Sequence, residues 1–253
     1  MAKISVVGIG PGALDEMTPR ARRAIEDAEV VAGYNTYIKL IEPLLDGKKI
    51  IGRAMMQEVE RCQLAVEETL SGRNVVVVSS GDSGVYGMAG LVVEMLLDLP
   101  DENRPQFEVV AGISAVNASA AILGAPLMND FAVVSLSDLM TPWEVIRKRI
   151  RAAAAGDFVI ALYNPKSKRR TTQLDEVQKI LLDFRDKTTP VGIVTNAGRD
   201  GQTKIISTLE NFTREEVNMF SLVLIGNSQT FVKAGFMITP RGYELKQAER
   251  GCE

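Results

Sequence analysis

Five short segments combine glycine, small polar residues and asparagine in a way that suits main-chain contact with a bound ligand. They are Gly8-Ile9-Gly10-Pro11-Gly12-Ala13, Ser79-Ser80-Gly81-Asp82-Ser83-Gly84-Val85-Tyr86-Gly87, Ala111-Gly112-Ile113-Ser114-Ala115-Val116-Asn117, Leu162-Tyr163-Asn164-Pro165 and Thr195-Asn196-Ala197-Gly198-Arg199. Residues without bulk let a ligand approach the backbone. Asp82 can accept from hydroxyls or pair with an amine, and it can equally cap the helix that follows it. Ser114 suits an N-cap, which does not exclude a ligand contact. The first segment fits the dinucleotide pattern GxGxxG/A, but three features oppose that use. Pro11 removes one N–H from a phosphate cradle. The helix after Gly12 starts only near Thr18. The next strand ends in Val31-Ala32-Gly33-Tyr34, with no acid to hold a ribose. The chain contains no GxxxxGK[ST] sequence, so nucleoside triphosphate hydrolysis lacks its usual signature.

The residue types that are missing narrow the chemistry further. The chain has no histidine. That removes Ser-His-Asp and Cys-His nucleophiles, histidine-bound zinc and imidazole acid–base work near neutrality. Carboxylates, lysines, tyrosines, backbone groups and a reactive cofactor remain. Cys62 and Cys252 are too few and too distant for a disulfide framework or a CxxC site, so no tightly bound metal is expected.

These segments need elements to hold them at strand ends. Apolar, β-rich runs predict strands at 4–7, 30–32, 49–51, 75–79, 107–110, 132–136, 158–162, 191–195, 204–207 and 222–225. The run Val75-Val76-Val77-Val78 is apolar on both faces, as a buried parallel strand requires. Thr18-Pro19 reads as an N-cap followed by a first-turn proline, and Thr141-Pro142-Trp143-Glu144 as a capping box. Leu174, Val177, Ile180, Leu181 and Phe184 form one helical stripe. The first half alternates strand and helix five strands deep, which predicts a mostly parallel α/β sheet. The second half alternates again, with a hairpin near Asp200-Gly201 and hence a mixed sheet. The expected organisation is two α/β domains, 1–114 and 115–253, with a cleft between them.

At 253 residues, 46% hydrophobic and 24% charged, the chain suits a folded protein. No apolar run approaches the roughly 18 residues of a membrane span. The N-terminus lacks the apolar core of a signal peptide, so the expected location is cytoplasmic. A formal charge of −3 gives no bulk attraction to nucleic acid or acidic membrane. One local exception is Lys166-Ser167-Lys168-Arg169-Arg170, right after a predicted strand. By itself it reads as a solvated charge run at a helix start. Cations there oppose the helix dipole, and that conflict favours a binding role. A second run, Arg147-Lys148-Arg149 with Arg151, reads as the wet face of an amphipathic helix.

Taken together in this order, GIGPG, the GD loop and the AGISA loop resemble the tetrapyrrole (corrin/porphyrin) methylase family from the first strand to about Ile225. Ser79–Gly90, Ala161–Arg170 and Val194–Gln202 resemble its precorrin-3B (cobalt-factor III) C17-methyltransferase branch. Where many members carry proline after the GD pair, this chain has Ser83. The resemblance implies two α/β domains with S-adenosylmethionine in the cleft between them, and a homodimer. Carried over by motif, the cofactor contacts are Pro11, Ser80, Gly81, Asp82, Val85, Ser114, Ala115, Tyr163 and Ala197. The implied reaction is C17 methylation of a corrin precursor, with or without cobalt, and contraction of the ring. Methyl transfer from a sulfonium needs alignment and exclusion of water, not histidine. The substrate's carboxylates need cations, and Lys166, Lys168, Arg169 and Arg170 are the candidate clamp, with Arg53 and Arg199 next. No general acid or base is assigned; Tyr86, Asp82 and Lys166 are candidates by location only. Competing readings are a methylase of the same superfamily acting on a macromolecule, a dinucleotide-dependent oxidoreductase and a non-catalytic tetrapyrrole carrier.

Overall fold

The computed structural model describes residues 2–54 and 56–243, so Cys252 lies outside the described residues. The chain divides into two compact units. One is Met1–Ala118 with Asn196–Gln202; the other is Ser119–Thr195 with Thr203–Glu253. The division falls four residues later than the sequence reading placed it, and the 196–202 loop returns to the first unit.

In the first unit, β1 (Lys3–Gly8), β2 (Val30–Tyr34), β3 (Lys49–Arg53), β4 (Val75–Ser79) and β5 (Gln106–Val110) form one sheet in the order β3-β2-β4-β1-β5. Every pairing in it is parallel. Alternation divides β4 between two cores. Val75 and Val77 face Cys62, Val66, Val92 and Leu96, on α3 (Glu58–Leu70) and α4 (Ala89–Leu97). Val76 and Val78 face Ala21, Ile25 and Ile41, below α1 (Pro19–Glu26) and α2 (Asn35–Leu40). Burial on both faces is why this strand reads as four consecutive valines; each is worth about 1.5–3 kcal/mol relative to exposure. Thr18 caps α1 as the sequence predicts, its hydroxyl accepting from the Ala21 N–H at 3.1 Å.

The helix α5 (Ala115–Leu123) runs across the division. The second unit holds β7 (Phe131–Ser135), α6 (Trp143–Ala155), β8 (Val159–Tyr163), α7 (Gln173–Leu182), β9 (Pro190–Thr195), β10 (Thr203–Thr208) and β11 (Ser221–Ile225). Its sheet order is β10-β9-β11-β8-β7. Only β7 and β8 are parallel; β9 and β10 form the antiparallel hairpin expected around Asp200-Gly201. One face packs Ile160, Leu162, Ile193 and Val223 against Ile146, Ile150, Val177, Leu181 and the fully buried Phe212.

Three features depart from the sequence reading. The residues of β6 (Gly124–Ala125), β12 (Phe231–Lys233) and β13 (Phe236–Ile238) make a further small sheet whose strands are too short to show a period. The capping box at Thr141 does not form: α6 starts at Trp143, its N-cap is Pro142, and Pro142 has no N–H for a glutamate to reach. Glu144 pairs instead with Arg147 at 2.8 Å. Phe184 lies beyond the end of α7 and is half exposed, so it is not part of that helix's buried stripe.

Candidate active site

Parallel order brings the ends of β4, β1 and β5 side by side, and each ends at or near a glycine. A Cβ on Gly8 would lie 2.6 Å from the Gly81 carbonyl oxygen and 2.8 Å from the Gly112 nitrogen. One on Gly112 would lie 2.3 Å from the Gly81 oxygen and 2.5 Å from that of Gly8. Gly8 and Gly112 therefore let three strand ends touch backbone to backbone, and Gly81 contributes a left-handed turn at φ +70°. Gly10 and Gly81 bond reciprocally, N–H to carbonyl, at 3.1 and 2.7 Å. That uses the Gly10 N–H, so with Pro11 the loop has little left to cradle a pyrophosphate. A short helical turn at Leu14–Glu16 also separates the loop from α1, which weakens the oxidoreductase reading.

Asp82 ties two of these loops together. One carboxylate oxygen accepts from Gly84 N at 2.8 Å, and the other from Gly112 N at 3.0 Å. Ionised carboxylates offer about four lone-pair sites, so roughly two stay available to a ligand hydroxyl or amine. Ser83 is fully buried and donates to the Val6 carbonyl at 3.2 Å. Tyr86 is exposed and adopts φ +55°, a left-handed conformation uncommon for a large side chain.

The returning 196–202 loop supplies Arg199. Its Nε donates to the Pro11 carbonyl at 2.6 Å, and Nη2 donates to the Ser80 hydroxyl. The stem lies over Gly12, where a Cβ would meet Arg199 Cγ at 2.4 Å. Burial holds this guanidinium below its ordinary pKa, with Tyr37 acting in the opposite direction. Burial likewise raises the Tyr37 phenol, against the pull of Arg199.

Of the nine residues carried over as cofactor contacts, Pro11, Ser80, Gly81, Asp82, Val85, Ser114, Ala115 and Ala197 all fall in the first unit, and Tyr163 ends β8 in the second. Ser114 is nearly buried and bonds Asn117 at 3.2 Å. The basic run lies in the loop between β8 and α7, and it ends before α7 begins at Gln173, so the dipole conflict is weaker than the sequence suggests. Arg170 is 8% exposed, donates from Nε to the Asn164 carbonyl at 3.1 Å and pairs with Asp138 at 3.5 Å. Lys168 and Arg169 are exposed, and Lys166 is half-buried. Arg53 pairs with Glu60 at 3.1 Å.

Sequence reasoning gave Arg199 only a reserve role, named Gly8 in its first loop without its close approach to Gly81 and Gly112, and overlooked Arg61. Arg61 had a readable signal: with Ala65 and Thr69 it forms an i, i+4, i+8 stripe that α3 buries. A cavity of about 560 Å³ opens beside Asp157, Arg185 and Asn227, but none of the five loops lines it. Among the described residues, no group of three or more His, Cys, Asp or Glu is placed to hold a metal. No helix among them is long and apolar enough to cross a membrane.

One unit is thus a five-stranded parallel sheet with glycine loops at its carboxyl edge, and the other a mixed five-stranded sheet. The family described as "Tetrapyrrole (Corrin/Porphyrin) Methylases" matches residues 3–213, and the chain belongs to it. Within that family the similar proteins are narrower. The "Cobalt-factor III methyltransferase" of Priestia megaterium is 49% identical over 246 residues, covering 96% of this chain and 46% of that protein. This chain thus spans about half the length of that relative. The "Probable cobalt-factor III C(17)-methyltransferase" of Salmonella typhimurium is 47% identical over 244 residues, covering 96% of this chain and 100% of that one. Among solved structures, the methyltransferase CobJ superposes with a TM-score of 0.90 at 35% identity, covering 95% of this chain and 100% of its own. A uroporphyrin-III C-methyl transferase of Thermus thermophilus, complexed with S-adenyl homocysteine, shares the fold at a TM-score of 0.69 and 23% identity, covering 89% of this chain and 92% of that one.

Proposed function

We propose that this protein methylates C17 of cobalt-factor III, using S-adenosylmethionine and contracting the ring, in cobalamin biosynthesis. The observation that carries the reading is 47% identity to a relative of that name across the relative's entire length. Two features of the first unit support cofactor binding: glycines keep side-chain bulk away from the strand ends, and Asp82 keeps acceptor capacity for a ribose hydroxyl or an amine. When bound, the cofactor supplies an electrophilic methyl group for an in-line displacement.

The chain's own part is to hold and orient. The reciprocal Gly10–Gly81 bonds and the Asp82 carboxylate fix the loops before any ligand arrives, so little ordering cost falls on binding. Arg199 fastens the 196–202 loop, and with it Ala197, onto Pro11 and Ser80. Lys168 and Arg169, with Lys166, are the proposed grip on substrate carboxylates. Arg170 shapes their loop rather than meeting the ligand. The protein is further proposed to be a cytoplasmic homodimer; exposed Phe231, Val232 and Phe236 on the small sheet of the second unit support an apolar contact there.

The test is anaerobic incubation with the cofactor and cobalt-factor III, followed by mass spectrometry. A cofactor-dependent gain of one methyl group on the tetrapyrrole supports the reading. Gain only on precorrin-3B would move the substrate to the cobalt-free relative. Binding with no cofactor consumed would favour a carrier, and methylation of RNA or protein would overturn the assignment.

A further inference from the structure

Arg61 stands in the first turn of α3, after the carboxyl end of β3, on a buried stripe with Cys62, Ala65, Val66 and Thr69. A cation thus occupies a core position, 3% exposed. Among the described residues its Nη2 meets only the Met88 sulfur, at 3.4 Å. Its Nε and Nη1 are buried with no hydrogen-bond partner among the described residues. A thioether is a weak acceptor, and a guanidinium carries five donors and cannot shed its charge. Buried charges are otherwise paired, because an unpaired one forfeits hydration with nothing in return. Glu58, one turn earlier, is turned to the Met56 N–H at 3.1 Å.

The surroundings are those of the glycine loops. Met88 is the N-cap of α4, and its N–H donates to the Ser79 hydroxyl at 3.2 Å, so the guanidinium lies against the end of the 79–88 loop. Burial raises the pKa of the partly buried Tyr37 phenol; the charges of Arg199 and Arg61 oppose that, and Glu58 adds to it.

We propose that Arg61 is a carboxylate anchor, completed when a ligand carboxylate displaces the Met88 side chain and pairs with the guanidinium fork. Methionine, unbranched and with three rotatable bonds, suits a displaceable stopper. The carboxylate belongs either to the amino-acid end of the cofactor or to an acid side chain of the tetrapyrrole. Only that choice of source rests on the methyl-transfer reading; the anchor does not.

The experiment uses the full chain, Arg61→Met and Arg61→Lys. Thermal unfolding is followed with sodium acetate replacing chloride at constant ionic strength. Calorimetry then measures S-adenosylmethionine and cobalt-factor III separately. Acetate should stabilise the parent saturably and Arg61→Met not at all. Arg61→Met should also lose at least about tenfold in affinity for one ligand, and that ligand names the source. A folded Arg61→Met that binds both ligands like the parent overturns the proposal and makes Arg61 a packing residue. Should Arg61→Met fail to fold, Arg61→Lys decides, since it keeps the charge and loses the fork. Weaker acetate and ligand binding supports the anchor; parental behaviour in both sinks it. Failure of cobalt-factor III to be methylated by the parent would touch the functional reading alone, because the acetate arm does not depend on it.

Discussion

In the first unit three strand ends meet main chain to main chain, and the bonds between them are made by amides, carbonyls, the Asp82 carboxylate and the Ser83 hydroxyl. In the second unit the end of β8 gives way to a loop in which four of five consecutive residues are cationic. The first region is steric: its geometry depends on what is missing from Gly8 and Gly112. The second is electrostatic, and there only Arg170 is tied down while Lys168 and Arg169 face solvent. A region built on contact should fail through stability and be insensitive to salt. One built on exposed charge should keep its fold, lose ligand and respond to salt.

The largest effect should come from Gly112→Ala. The new Cβ would sit 2.3 and 2.5 Å from two carbonyl oxygens that belong to neighbouring strand ends and cannot rotate away. Overpacking of this kind costs about 1–3 kcal/mol or more, several degrees in Tm for a chain of this size. Cofactor binding should fall with it. Gly90→Ala is the control: it lies in α4 with nothing within 4 Å of its Cβ, and should gain up to about 1 kcal/mol. Calorimetric melting of both proteins checks the pair. Equal Tm values would mean the strand ends are looser than their spacing implies.

Asp82→Asn comes next. The amide keeps the shape but turns an NH2 group toward either Gly84 N or Gly112 N, leaving one donor opposed by another. The expected cost is roughly 1–3 kcal/mol, with weaker S-adenosylmethionine binding in calorimetry. Loss of stability with unchanged cofactor affinity would make Asp82 a strut alone.

These contrasts explain what the sequence could and could not reveal. The ten main strands follow from apolar runs, because burial on one or both faces leaves a period that can be read. The hairpin follows from Asp200-Gly201. The small sheet of β6, β12 and β13 leaves no such trace in two- and three-residue strands. The site loops are legible as glycine clusters at strand ends, yet Gly8 and Gly112 act by meeting each other, and that depends on strand order. Local sequence does not encode the order β4-β1-β5. Arg199 is 188 residues from Pro11 and reaches it only because the 196–202 loop returns to the first unit. Arg170 looks like its neighbours in composition; burial separates it from them.

A third, smaller effect tests the electrostatic side. Replacing Lys168 and Arg169 together with alanine should leave Tm within the margin expected of surface changes, about ±0.5 kcal/mol. Tetrapyrrole affinity should fall about tenfold if one contact is shielded in the complex. Added salt should reproduce part of that loss in the parent and little in the mutant. Arg170→Met should do the reverse, lowering stability through the lost Asn164 and Asp138 contacts. If the double mutant binds the tetrapyrrole as tightly as the parent, the run is a solvated loop and the grip lies elsewhere.

The smallest effect concerns charge inside the steric unit. Glu108, on β5, accepts from the Ser5 hydroxyl at 3.0 Å and pairs with Lys3 at 2.6 Å and Arg20 at 2.8 Å. Burial alone would raise its pKa, but the hydrogen bonds from Lys3, Arg20 and Ser5 outweigh it and hold the group at about 2, against 4.5 for a free side chain. The folded state therefore favours the carboxylate. Its stabilising contribution is complete above pH 4.5 and is lost as pH falls toward 2. Lys3 and Arg20 are 41% and 64% exposed, so solvent screens the cluster and its worth at pH 7 is at most about 1 kcal/mol. Glu108→Gln should show that deficit in denaturant unfolding at neutral pH, and the gap should close in acid. Affinity for S-adenosylmethionine should not change, since these charges lie on a sheet edge and not on the glycine loops. A drop in cofactor affinity would mean that this edge cluster reaches the glycine loops, whose ligand charges would then not be confined to Asp82 and Arg61.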